Sequence, residues 1–269
     1  MDSPGPTSAD RARQTGVTVA EVLCVLGTLV GLGVIGGTGV AESSGGALAA
    51  DATLIAPAGP AFSIWSVIYA GLATYTVWQW LPGQATDERH RRTGWLAAAS
   101  MLLNAAWLLV TRQGWIWVSV GVIVALVVVL GVLVRRLTER PSFGLVETVV
   151  VDGTFGAYLG WVCVATCANI TAALVSSGVE PGPPVSELWA VVVLAIAAGV
   201  GVLLARRLGG RYAVALAIAW GLAWIAVGRA SDEPRSSVTA WAAAIAAVVV
   251  VVAAVRERGR ARRPVTEAG

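Results

Sequence analysis

The chain has 269 residues, of which 57% are hydrophobic and only 13% charged, and its net charge is +3. The apolar residues come in runs too long for a soluble domain to keep from water, which excludes a soluble globular fold. A membrane span needs only ~20 apolar residues, so the length leaves room for about eight spans and little else: an all-α, polytopic transmembrane helix bundle.

The first apolar segment runs from Gly16 to Val40. Arg11 and Arg13 precede it and Ala47-Leu48-Ala49 follows, the outline of a cleaved signal peptide. The run is too long for a signal core, however, and the pairs Gly27/Gly31 and Gly33/Gly37 have the spacing of a retained, closely packed helix. Glu21 falls in its first turns, near Arg11 and Arg13.

The second segment spans Phe62 to Leu81, with Phe62, Trp65 and Tyr69 at i, i+3 and i+7, one face of a helix. A charged loop, Asp87 to Arg92, follows, and its His90 reads as a solvated side chain. The third segment, Gly94 to Val110, carries Asn104 and Trp107 at i and i+3. The fourth runs from Trp115 to Val134.

The fifth, Leu145 to Val175, presents Tyr158, Trp161, Ala165 and Asn169 along one face. Asp152 lies ~25 Å of helix rise before Asn169, which puts it at the inner interface within reach of Arg135, Arg136 or Arg140. Asn169-Ile170-Thr171 matches a glycosylation sequon but falls inside the span, where no transferase reaches it. Three more segments, Leu188–Ala205, Tyr212–Val227 and Val238–Val255, complete the count.

Charge fixes the expected orientation. All nineteen basic residues are Arg. With an internal N-terminus and eight spans, sixteen fall inside and only Arg112, Arg229 and Arg235 outside, beside Glu42, Asp51, Glu180, Glu187, Asp232 and Glu233. The reading is a multi-pass plasma-membrane protein with both termini cytoplasmic. The Arg-rich tail, including Arg262 and Arg263, serves orientation and contact with anionic membrane lipid, not nucleic acid.

Cys24, Cys163 and Cys167 all lie in spans, form no C-x-x-C pair, and read as small apolar fillers. No metal site, catalytic constellation or cofactor is expected. Trp78, Trp80, Trp95, Trp115 and Trp117 sit near span ends and suit interfacial belts. Asn104 and Asn169 are different, because an amide in hydrocarbon needs a partner and must face the bundle interior. Amides flanked by Trp and Tyr on three helices point to a pocket for a flat, lipophilic small molecule with polar edges. A secondary transporter is the alternative, with Glu21, Glu147 and Asp152 as its ionisable candidates.

These stripes resemble the translocator protein, or tryptophan-rich sensory protein, family (TspO/MBR). The family's fifth helix reads roughly P-Y-x-x-W-V-x-x-A-x-x-x-N, matched by Tyr158, Trp161, Val162, Ala165 and Asn169, with Ala157 in place of the proline. Its N-x-x-W is matched by Asn104 and Trp107. Its P-P-G-x-x-F-x-x-x-W-x-x-x-Y returns as Pro57, Gly59, Phe62, Trp65 and Tyr69, with Ala58 for the second proline and one residue fewer between Phe and Trp. The resemblance implies a five-helix core over residues 1–178 and a three-helix extension over 179–269. It also implies a cavity for a porphyrin, heme or related tetrapyrrole bound as ligand, lined by Phe62, Trp65, Tyr69, Asn104, Trp107, Tyr158, Trp161, Ala165 and Asn169, beneath an outer loop bearing Pro57 and Gly59. Gly156 and Gly160, with the span-one glycines, leave room for a homodimer.

Overall fold

The computed structural model describes residues 5–36 and 46–261, and among these it is all-helical with no strand. Eight helices are long and apolar enough to cross a membrane. They are α1 (Ser8–Gly31), α2 (Ile64–Trp78, entered through a 3-10 turn Gly59–Ser63), α3 (Glu88–Arg112), α4 (Ile116–Glu139), α5 (Leu145–Ser176), α6 (Val185–Arg207), α7 (Tyr212–Ser231) and α8 (Ser237–Ala261). Within α5 a π-helical turn, Thr148–Gly153, precedes the regular helix Thr154–Ser176. Glu42, Gly37, Arg262 and Arg263 lie outside the described residues.

The first five helices close a ring in the order α1, α2, α5, α4, α3. The last three do not stand apart. Helix α7 packs along α5, and α8 packs against both α6 and α7. Glycine sets the closest approach: a Cβ on Gly160 would meet the carbonyl oxygen of Val214 at 2.3 Å, and one on Gly156 would meet the Ala213 side chain at 2.9 Å. Likewise Gly27 and Gly31 lie against Ala105 and Leu108 of α3. The Gly27/Gly31 and Gly156/Gly160 faces are therefore occupied within the chain.

Helix α1 begins eight residues before the apolar run because its polar first turns are buried with partners. Thr7 and Asp10 form a capping box. Asp10 receives a bidentate pair from Arg91 (2.8 and 2.7 Å), Arg13 donates to the Ala85 carbonyl (2.8 Å), and Gln14 and Gln79 exchange side-chain-to-backbone bonds (2.5 and 3.1 Å). Each bond removes the penalty of an unpaired polar group.

This early start corrects the placement of Glu21. It sits thirteen residues past Ser8 and ten before Gly31, mid-helix and far from the arginines of the first turn.

The same end of the bundle holds a buried ionic cluster. Arg89, 3% exposed, pairs with Glu147 and with Asp152 (2.7 Å), while Arg211 pairs with Asp152 (2.6 Å) and donates to the Thr138 hydroxyl (2.7 Å). Asp152 is at that end, as expected, but its partners are Arg89 and Arg211. Arg135 faces Glu139, Arg136 donates to the Arg92 carbonyl, and Arg140 lies by Glu88.

His90 also departs from expectation. It is 1% exposed, in the first turn of α3, hydrogen-bonded to Gln84 (2.9 Å) and packed by Tyr75, because Asp87 caps the helix and turns the ring inward.

The opposite end carries Arg112 and Arg229. Arg112 donates to the carbonyls at the end of α1, and Arg229 to those of Ala50 (3.1 Å), Thr53 (3.2 Å) and Pro234 (2.9 Å). Of the residues near span ends, Trp80, Trp95, Trp115 and Trp117 are exposed, as a lipid-facing belt requires, while Trp78 packs against the core.

Candidate functional site

The aromatic stripes of α2, α3 and α5 meet inside the five-helix ring. A cavity of about 30 Å³ is lined by Phe62, Trp65, Asn104, Trp107, Trp161 and Ala165, together with Ile123 and Leu126 of α4 and Val162. Its walls interlock: Trp65 stacks on Tyr69 (5.2 Å between centroids) and meets Tyr158 and Trp161 edge to face (5.9 and 6.3 Å), while Phe62 abuts Trp161 (5.7 Å). Such pairs add ~0.5–1.5 kcal/mol each beyond area burial. Phe62 belongs to the 3-10 turn before α2, so the tighter turn, not the α-helical repeat, brings it to the cavity.

Depth is graded across the site. Asn104, Tyr158, Trp161 and Asn169 are at most 1% exposed, Trp65, Tyr69, Trp107 and Ala165 are half-buried, and Phe62 is 42% exposed. The inner side of the site is therefore buried, and the outer rim is open to the bundle surface.

The polar atoms divide into two groups. Asn169 accepts from Trp107 Nε1 (2.8 Å) and donates to Ser119 of α4 (3.1 Å), so its amide is engaged and it fixes the Trp107 ring. Tyr158 donates to the Ser100 carbonyl (3.2 Å). Asn104 donates through Nδ2 to Tyr69 Oη (2.9 Å) and to Cys24 Sγ (3.6 Å), which makes Cys24 an acceptor and not only a filler.

Two residues that line the cavity each carry a buried polar atom with no hydrogen-bond partner, Asn104 at its carbonyl oxygen Oδ1 and Trp161 at its N–H, while the cavity surface itself is almost wholly apolar. One is an acceptor and the other a donor. Unmatched, each costs about 1–3 kcal/mol.

Tyr69, Tyr158 and Asn169 stand behind the wall and position it. Pro57 and Gly59 lie in the preceding loop, Pro57 buried and Gly59 exposed, and neither lines the cavity. That loop is held by α7, since Ala58 N donates to the Trp224 carbonyl (3.2 Å) and Trp220 Nε1 to the Ala61 carbonyl (2.9 Å). Ile123, Leu126 and Ser119 carry no mark in the sequence, because an aliphatic or a single serine in a Val-rich span looks like any lipid-facing residue. The Ser119–Asn169 pairing was the only available signal, and it requires knowing that α4 and α5 are neighbours.

The profile of the family described as TSPO-like protein matches residues 17–256. The match runs past residue 178 and through the last three helices. No curated protein and no solved structure matches the chain.

Proposed function

The chain belongs to the TSPO-like protein family, and on that premise we propose that it binds a flat lipophilic ligand, a porphyrin or related tetrapyrrole, as a membrane receptor or sensor. The observation that carries this reading is an aromatic cavity two of whose lining residues hold buried polar atoms without partners, Asn104 Oδ1 and Trp161 Nε1. A planar molecule with ring N–H donors and polar oxygen acceptors complements both while its faces stack on Trp65, Trp107 and Phe62.

A cavity of about 30 Å³ is the size of one water, whereas ligand pockets run to roughly 300–1,000 Å³. Binding therefore requires the walls to part. The half-exposed rim of Phe62, Trp65, Trp107 and Ala165 is the side on which they would do so, toward the lipid, where a lipophile is concentrated. The purified protein in detergent is expected to show saturable quenching of Trp fluorescence by protoporphyrin with half-saturation below ~10 μM. Linear, unsaturable quenching would count against a binding site.

The arginine distribution supports a cytoplasmic location for both chain termini in a plasma membrane. A reporter fused after Gly269 should be active only in the cytoplasm. External labelling of that reporter would reverse the orientation of all eight helices.

A second reading, a secondary transporter of a small lipophilic or amphipathic substrate, is favoured by one observation, the buried carboxyl of Glu21.

A further inference from the structure

Helix α1 places Gln14, Val17, Glu21, Cys24 and Thr28 on one buried stripe facing the bundle. Glu21 stands at its centre, 6% exposed, about 15–20 Å of helix rise from either end. Both carboxyl oxygens are buried, and neither has a hydrogen-bond partner. A carboxyl in this position is unusual, because an isolated charge in a low-dielectric interior is among the most unfavourable groups a fold can hold.

The groups around it are defined. Cys24 on the same helix, Tyr69 of α2 and Tyr158 of α5 lie within electrostatic reach of Glu21. Helix α3, packed along α1, has no ionisable side chain between Arg92 and Arg112. Among the described residues no cation pairs with the carboxyl; the buried Arg13, two turns back on α1, is bonded to the Ala85 carbonyl, so a proton is the compensating charge available to Glu21.

The neighbours of Glu21 are also those of the cavity. Cys24, one turn along, accepts from the Asn104 amide, and Tyr69 accepts from it on the other side. The carbonyl end of that amide has no hydrogen-bond partner, and Asn104 is one of the residues that line the cavity.

We propose that Glu21 is a proton-binding site in the middle of the bundle, coupled through the Cys24–Asn104–Tyr69 cluster to occupancy of the aromatic cavity. Protonation forms one O–H bond at a Glu21 carboxyl oxygen, the proton coming from hydronium, which leaves as water; nothing is oxidised or reduced. A ligand in the cavity engages Asn104 and excludes water from the cluster, which disfavours the ionised carboxyl. Ligand binding and proton uptake then reinforce each other, and by linkage each affects the other equally. The proton site stands on the burial and isolation of Glu21 alone, whereas the coupling rests on the ligand reading above.

The test uses the full chain in detergent and two readouts. Infrared difference spectra against pH, without ligand, should show a protonated-carboxyl carbonyl band that is missing in Glu21→Gln and shifted in Glu21→Asp. Absence of the band in the wild type, or its survival in Glu21→Gln, overturns the proton site. If neither variant folds, the wild-type band and its response to ligand still decide.

Fluorescence titration with protoporphyrin dimethyl ester, which has no titrating carboxylates, reads the coupling. Wild-type affinity should fall by up to about tenfold per pH unit across the band's titration, and Glu21→Gln should bind equally at all pH. A pH-independent wild type, or an unchanged pH profile in Glu21→Gln, overturns the coupling. An intact band with no ester binding at any pH removes the cavity reading, and the coupling with it, while the proton site stands.

Discussion

Replacing Arg89 by methionine is expected to destabilise the protein by about 3–5 kcal/mol, the cost of stranding a buried charge. Arg89 is 3% exposed and, among the described residues, is the one cation paired with Glu147, whose other oxygen accepts the Phe143 N–H (2.7 Å). It also holds Asp152, which retains Arg211 when Arg89 is lost. The cluster joins α3 to the start of α5 and the start of α7, so its loss loosens three helices at one end.

Unfolding midpoints in detergent measure the effect. Adding Glu147→Gln to Arg89→Met should recover part of the loss, because the second change removes the stranded charge. Ligand affinity of the folded fraction should stay within about tenfold, since the cluster and cavity share no residue. An unchanged midpoint in the single variant would mean that the ion pairs contribute nothing to folding.

Arg229→Met should act at the opposite end and on a different observable. Its guanidinium, 1% exposed, donates to three carbonyls, two of them in the loop before α2, and such charge-assisted bonds contribute about 1.5–3 kcal/mol each. Part of that is returned as the freed carbonyls find water, leaving a net cost of roughly 2–4 kcal/mol. The damage should be local. Amide exchange should accelerate over residues 46–58, including the Ala58 N–H that α7 holds through Trp224, and bound ligand should leave faster. Unchanged protection of the loop would show that α7 does not restrain it, and the last three helices would lose their clearest structural task.

The fold was legible because hydrocarbon imposes its length on the sequence. Every apolar run holds a helix, although the first ends at Gly31, short of the expected Val40, so that Gly33 (φ +76°) lies in a turn past the helix and not on a packed helical face, and the arginines of the described residues divide between the two ends of the bundle. Helix α1 was misjudged at its start because hydropathy treats Asp10, Arg13 and Gln14 as flank, while the fold buries them against Arg91, Ala85 and Gln79. That error displaced Glu21 from the middle of the helix to its first turns.

The aromatic stripes were visible because Trp, Tyr and Asn are rare in lipid and recur at helical spacing. Their partners were not. Ser119, Ile123 and Leu126 resemble any other residue of a Val-rich span, and the pairing of Arg89 with Glu147 joins residues 58 apart in sequence. Spacing fixes which residues share a face, but not which faces meet. The wall of the cavity follows from the first and its depth from the second.

Titrating protoporphyrin into Trp161→Phe and Trp241→Phe side by side decides whether the residues around Asn104 and Trp161 bind the ligand. Phenylalanine keeps an aromatic ring against Phe62 and Trp65 and removes only the unpartnered N–H and part of the stacking surface. Trp241, 72% exposed on α8, lies outside the cavity. Trp161→Phe should lose ~1–3 kcal/mol in binding, roughly five- to 150-fold in affinity, and Trp241→Phe should change it little. Equal affinities in the two variants and the wild type would contradict binding at those residues.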